Sequence, residues 1–133
     1  MKTLKHITLL FVAVVCLGLA SCAENQLQKA IEETNKMMPI KIARNFEITN
    51  VTDDGQYVVY RYELAENIYD MDQIRQNATK EAMQQQLQTM LQSNPDGKAF
   101  FDIVKESGRG LKFEYVGTPS GDTCEVTLEN DEL

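Results

Sequence analysis

The chain has no tryptophan, one histidine and three cysteines among its 133 residues. His6 stands close to the start, upstream of every segment that reads as folded. The remaining chain therefore holds no imidazole, which excludes a His-dependent catalytic triad and removes the usual nitrogen ligand of zinc. Cys16 sits within an apolar run and Cys22 just after it, so only Cys124 belongs to the rest of the chain. One thiol makes no internal disulfide and no thiolate metal site. None of the seven glycines has the spacing of a phosphate-binding loop, and Gly108-Arg109-Gly110 reads as a helix stop. Asp70-x-Asp72 and Asp53-Asp54-Gly55 each supply half of a calcium loop and lack its other ligands. The 20 acidic residues outnumber 13 basic ones, and no acidic pair stands out as a glycosidase pair. That balance argues against nucleic acid as a partner and against electrostatic docking on anionic lipid. These absences leave no candidate catalytic residue, no metal ligand set and no cofactor motif. The chain reads as not an enzyme.

The start of the chain is informative. Lys2 and Lys5 precede a run from Ile7 to Leu19 that is almost wholly apolar. It is shorter than the roughly 20 residues that span a bilayer, and it suits the core of a signal peptide. Leu19-Ala20-Ser21-Cys22 follows. This resembles the lipobox of bacterial lipoproteins, with Cys22 as the lipidated residue. The resemblance implies a thioether diacylglycerol on Cys22, cleavage before it, and an N-acyl chain such as palmitate. Residues 1–21 are then the signal peptide, and residues 22–133 a single small α+β domain tethered by Cys22. Losing Lys2 and Lys5 takes the formal charge from −7 to −9. Ala23 is not the aspartate that retains enteric lipoproteins at the inner membrane, so the resemblance implies the outer membrane. Glu24 alone does not make an acidic surface-export signal, which implies the periplasmic side.

Periodicity predicts the elements that follow. Leu27, Ala30, Ile31, Thr34 and Met38 recur at helical spacing over residues 23–38, with Asn25 and Gln28 placed as a capping box and Pro39 as the stop. Residues 46–64 read as a hairpin turning at Asp53-Asp54-Gly55. Val58, Tyr60, Tyr62 and Leu64 share its core face, and Tyr57, Val59, Arg61 and Glu63 the other. A polar helix runs from an Asp70 cap, boxed by Gln73, to about Gln92. Ile74, Ala78 and Ala82 lie on one face of it and Met83, Leu87 and Met90 on another, so it bends or packs on two neighbours in turn. Asn94 and Pro95 start a short helix bearing Phe100, Phe101 and Val104, which Gly108 terminates. A second hairpin pairs Leu111, Phe113 and Tyr115 with Cys124, Val126 and Leu128 around Gly117–Asp122. Cys124 shares the apolar face, which makes it a buried, inert thiol. Asn130 to Leu133 reads as a frayed tail.

The order is α-ββ-α-α-ββ, an α+β fold with a four-stranded antiparallel sheet and helices packed on one face. The lipobox, Met37-Met38-Pro39-Ile40, Tyr60-Arg61-Tyr62, Leu111–Tyr115 and Cys124-Glu125-Val126 together resemble small uncharacterised lipoproteins of the Bacteroidetes. More distantly the chain resembles α/β pilotins, outer-membrane lipoproteins that escort secretin subunits. These resemblances imply a membrane-anchored, non-catalytic binding or assembly module, held to the membrane by lipid on Cys22 and working with a protein partner. The alternative is a small periplasmic enzyme inhibitor, cystatin-like in its helix-on-sheet plan, or an enzyme of unknown reaction. The candidate partner surface is the outer sheet face, with Tyr57, Val59, Arg61, Lys112 and Glu114, a mix that suits interface anchors.

Overall fold

The computed structural model describes residues 23–133, so the leader, Cys22 and the lipobox reading lie outside the described residues. The first element is α1 (Ala23–Asn35), which buries Leu27, Ala30, Ile31 and Thr34 as its spacing predicts. Asn25 lies within its first turn and does not cap it. The helix also stops three residues short of Met38, at Asn35. The Asn35 side-chain amide donates to the carbonyl oxygen of Val51 at 2.6 Å and accepts from the Val51 N–H at 2.8 Å. Both backbone groups of a strand residue are thereby satisfied by one side chain.

Val51 needs such a partner because the neighbouring strand is short. That strand, β1 (Ile40–Ala43), was not anticipated, though Ile40-Lys41-Ile42 alternates and Asn45 sits three residues on with φ 55°. It pairs antiparallel with β2 (Phe46–Asp53) only as far as Ile48. A bulge between Ile48 and Asn50 then resets the alternation, so that Phe46, Ile48 and Val51 all point inward.

The sheet has five strands in the order β1-β2-β3-β4-β5, with β3 (Tyr57–Ala65), β4 (Gly110–Thr118) and β5 (Thr123–Leu128). The predicted four-stranded antiparallel sheet is corrected in two respects, the extra edge strand and a parallel central pair. The β2–β3 and β4–β5 hairpins are antiparallel as expected. Strands β3 and β4 run parallel, in unbroken register from Tyr57 beside Gly110 to Ala65 beside Thr118. The intervening helices carry the chain back to the end of the sheet where β3 began, and a crossover of that kind delivers a parallel neighbour.

The predicted single helix over 70–92 is two. Asp70 caps α2 (Met71–Asn77) by accepting from the Asp72 N–H. Gln73 does not complete the box, since its Oε1 is buried without a hydrogen-bond partner. Thr79 caps a new helix, α3 (Lys80–Ser93), by accepting from the Ala82 N–H at 3.2 Å. The break between Ala78 and Thr79 explains why the apolar residues changed face: Ile74 belongs to one helix, Met83 and Leu87 to the next. Helix α4 (Pro95–Glu106) starts as predicted, with the Asn94 side chain accepting from the Gly97 N–H and proline in its first turn. Gly108, at φ 75°, ends it by the expected left-handed turn.

All helices contribute to one core with the inward strand residues. Phe46 meets the rings of Tyr62, Tyr69 and Tyr115 edge-on, while Tyr62 and Tyr115 stack at 4.6 Å between centroids. Burial holds the Tyr62 and Tyr115 phenols well above their ordinary range. The predicted frayed tail is instead a 3-10 turn, Asn130–Glu132. Glu129 and Glu132 form a capping box, Lys80 binds the Glu132 carboxylate, and Asn130 donates to the carbonyls of Lys105 and Arg109. Acidic residues at a chain end are no sign of fraying when cations face them.

Cys124 is 8% exposed on the core side of β5. Burial raises its thiol above the ordinary value, a shift that the nearby Arg75 partly opposes. The folded protein should therefore resist thiol reagents at neutral pH and react only in denaturant. Cys124→Ser should cost about 1–3 kcal/mol, the penalty for a hydroxyl in an apolar site. Rapid labelling of the native state, followed by mass spectrometry, would contradict this placement.

Candidate functional site

The five residues of the candidate surface lie together on the sheet face opposite the helices. Alternation along β3 turns Tyr57, Val59 and Arg61 outward, and alternation along β4 does the same for Lys112 and Glu114. The parallel register sets Val59 beside Lys112 and Arg61 beside Glu114. All five are half-buried. Val116 shares this face: it is buried, yet stands outside the core cluster, next to Glu63 across the strand pair.

The polar members are bonded within the sheet. Arg61 Nη1 donates to Glu114 at 2.8 Å, and its Nε lies 3.4 Å from Glu63. Lys112 sits 5.1 Å above the centre of the Tyr57 ring and 3.8 Å from an Asp54 carboxylate oxygen. The Tyr57 hydroxyl donates to Glu129 at 2.7 Å, and that carboxylate raises the phenol above its ordinary value. Gly110 is required beneath this group. A β-carbon there would collide with the Leu128 carbonyl oxygen and crowd the Tyr57 ring at 2.9 Å. Such cross-strand pairs stabilise any exposed sheet. They also hold an arginine fork and an aromatic ring in one orientation, which lowers the entropy lost when a partner binds.

A second group was not anticipated. Arg109, 12% exposed, binds Asp53, 9% exposed, with two bonds, Nε to Oδ1 at 2.8 Å and Nη2 to Oδ2 at 3.0 Å. Its Nη2 also reaches Glu24 Oε1 at 3.0 Å, and its Nη1 donates to the Ser107 carbonyl oxygen at 2.8 Å. Gln28 adds a bond to Asp53 Oδ2 at 2.9 Å. Helix α1, the β2–β3 turn and the start of β4 thus meet at one guanidinium. Arg109 holds the Asp53 carboxyl below its ordinary value, and the carboxylates hold Arg109 above its own. In the sequence Arg109 stands between two glycines at a helix stop, and nothing local marks it as a hub.

At the other end of the sheet an open depression of about 470 Å³ is lined by Glu66, Tyr69, Asp70, Asp72 and Asp122 among others. Its acids are committed elsewhere. Glu66 accepts from Ser120, Asp70 caps α2, and Asp72 and Asp122 both bind Arg75. They do not form the pair of converging, unengaged carboxylates that acid–base chemistry needs. Among the described residues no cluster of three or more His, Cys, Asp or Glu side chains could hold a metal ion, and no helix is long and apolar enough to cross a membrane.

No protein-family model matches the chain, and no curated protein matches it in sequence. Solved structures do match its fold. A secreted protein of Pseudomonas aeruginosa aligns with a TM-score of 0.60 at 14% identity, over 83% of this chain and 91% of its own. EpsS, the pilotin of the Vibrio vulnificus type 2 secretion system, aligns with a TM-score of 0.54 at 6% identity, over 83% and 90%. The type II secretion pilotin AspS of Vibrio cholerae aligns with a TM-score of 0.53 at 12% identity, over 84% and 92%. At these identities the likeness is one of fold, and two of the three matching structures are secretion-system pilotins.

Proposed function

We propose that the mature chain, residues 22–133, is a lipid-anchored module of the bacterial envelope that binds a protein partner and catalyses no reaction. The observation that carries this reading is the fold held in common with two type II secretion pilotins across more than four-fifths of the chain. The lipobox supplies the anchor and the outer membrane the location, with the domain on the periplasmic side. The partner, by analogy with the pilotins, is a subunit of an envelope assembly. The absence of imidazole from residues 23–133 agrees with binding as the role.

The partner surface on this reading is the outer sheet face. Tyr57 and Arg61 are its anchors, because aromatic rings and guanidinium groups contribute most to interfaces per residue. Val59, half-buried between them, gives the face apolar area. The test substitutes Tyr57 and Arg61 together with alanine, confirms the fold by circular dichroism, and compares captures from detergent-solubilised outer membrane. A partner captured by the parent protein should be lost with the double variant. An identical set of captured proteins would remove this face from consideration.

A further inference from the structure

We infer that the protein stands on the bilayer in one fixed orientation, with the end of the sheet that holds Arg109 against the lipid headgroups. This rests on the reading of Cys22 as the lipidated residue. Cys22 is joined directly to Ala23, the first residue of α1, and consecutive Cα atoms are about 3.8 Å apart. No linker therefore separates the lipid from the folded domain. The first turn of α1 is also not free to swing. The Ala23 carbonyl oxygen accepts from the Ser107 hydroxyl at 3.2 Å, and Glu24 is held by Arg109 at 3.0 Å. One turn further on, Leu27 is fully buried.

The anchor thus leaves the domain beside two loops. One is the β2–β3 turn, Asp53 to Gln56, tied to α1 through Arg109 and Gln28. The other is Ser107–Arg109, which joins α4 to β4. Strands β3 and β4 both begin at this end and both run away from it. Nine residues of strand at about 3.3 Å each place the opposite end, with the Pro119–Asp122 turn, about 30 Å further out.

The charge at the lipid-side end suits a zwitterionic surface. The two acids of its β2–β3 turn are already engaged, Asp53 by Arg109 and Gln28, and Asp54 by the N–H groups of Gln56 and Tyr57 at 2.8 and 2.7 Å. Arg109 is a positioning residue for the anchor. The candidate partner face then stands perpendicular to the membrane, with Tyr57 and Lys112 near the lipid and Glu63 and Val116 far from it.

The test uses the mature chain joined through Cys22 to a maleimide lipid, on phosphatidylcholine vesicles that carry a nitroxide headgroup. A fluorophore is placed at Gln56 or at Ser120 through an azide-bearing residue, with Cys124→Ala to avoid stray coupling. With the two sites about 30 Å apart along the strands, quenching at Gln56 is expected to be about fivefold stronger than at Ser120. Glu24→Ala, or five Gly/Ser residues inserted between Cys22 and Ala23, should bring the two sites towards equal quenching. Equal quenching in the parent, or stronger quenching at Ser120, would overturn the inference. Chemical attachment makes the outcome independent of native acylation, whose failure shows separately in the mass of the cellular protein.

Discussion

Cys22→Ala is expected to empty the membrane fraction of this protein. The parent should sediment with membranes, resist extraction by carbonate, and show the mass of an acylated N-terminal Cys22. The variant should lose the acyl mass and appear in the soluble fraction, or accumulate unprocessed with its leader. The size of the effect follows from acyl transfer energies, at about 0.8 kcal/mol per buried CH₂. One chain holds a protein only marginally, whereas the two or three that lipoprotein processing adds hold it firmly. Among the described residues no helix is long and apolar enough to cross a membrane, and the net charge opposes anionic lipid. An unmodified, soluble mature protein in wild-type cells would end the lipoprotein reading.

Arg109→Ala should be the most damaging of the surface substitutions proposed, at about 3 kcal/mol, the low end for removing one partner of a shielded pair. The guanidinium is 12% exposed and Asp53 9%, and the abandoned carboxylate keeps only the Gln28 and Gly55 donors. For a domain of this size that loss lowers the melting temperature by roughly 10 °C. Arg109→Lys should recover only part of it, since an ammonium lacks the planar fork that grips both carboxylate oxygens. The pH dependence supplies a second readout. The Asp53 carboxyl is depressed in the fold, so its contribution is present above the unfolded value of 3.8 and is lost as pH falls through the folded value. Arg109 is raised, away from the acid range, and adds nothing there. The stability gap between parent and Arg109→Ala should therefore be full at neutral pH and shrink below about pH 4. Urea titrations at neutral and acid pH measure both, and a gap under about 0.5 kcal/mol at pH 7 would show the cluster to be ordinary surface pairing.

Much of the fold was legible because its signals are local. Asp53-Asp54-Gly55 turns the first hairpin since glycine there takes a φ of 95°. Asn94 and Pro95 start α4, and Gly108 ends it, through bonds spanning only a few residues. The alternation of Val58, Tyr60, Tyr62 and Leu64 declared a core face that the structure confirms residue by residue. The outer positions of Tyr57, Val59, Arg61, Lys112 and Glu114 followed from the same alternation. What failed were readings that relied on continuity. The Asp70–Gln92 helix breaks because Thr79 offers a second cap. The helix expected to reach Met38 ends at Asn35, and tighter turns carry the chain from there to Met38.

The sequence by itself determined the start and stop of several elements, the inward faces of β3, β4 and β5, the single thiol after Cys22 and the absence of imidazole after His6. These depend on φ preferences, capping bonds and side-chain period, all set within about four residues along the chain. Only the tertiary structure decided that β4 lies parallel beside β3, that Arg61 meets Glu114, and that Arg109 gathers Asp53 and Glu24. Those contacts join residues 53, 56 and 85 positions apart. Which strand becomes a neighbour depends on the path of the connecting helices over the core, and that path minimises exposed apolar area for the whole domain at once. No local pattern encodes it.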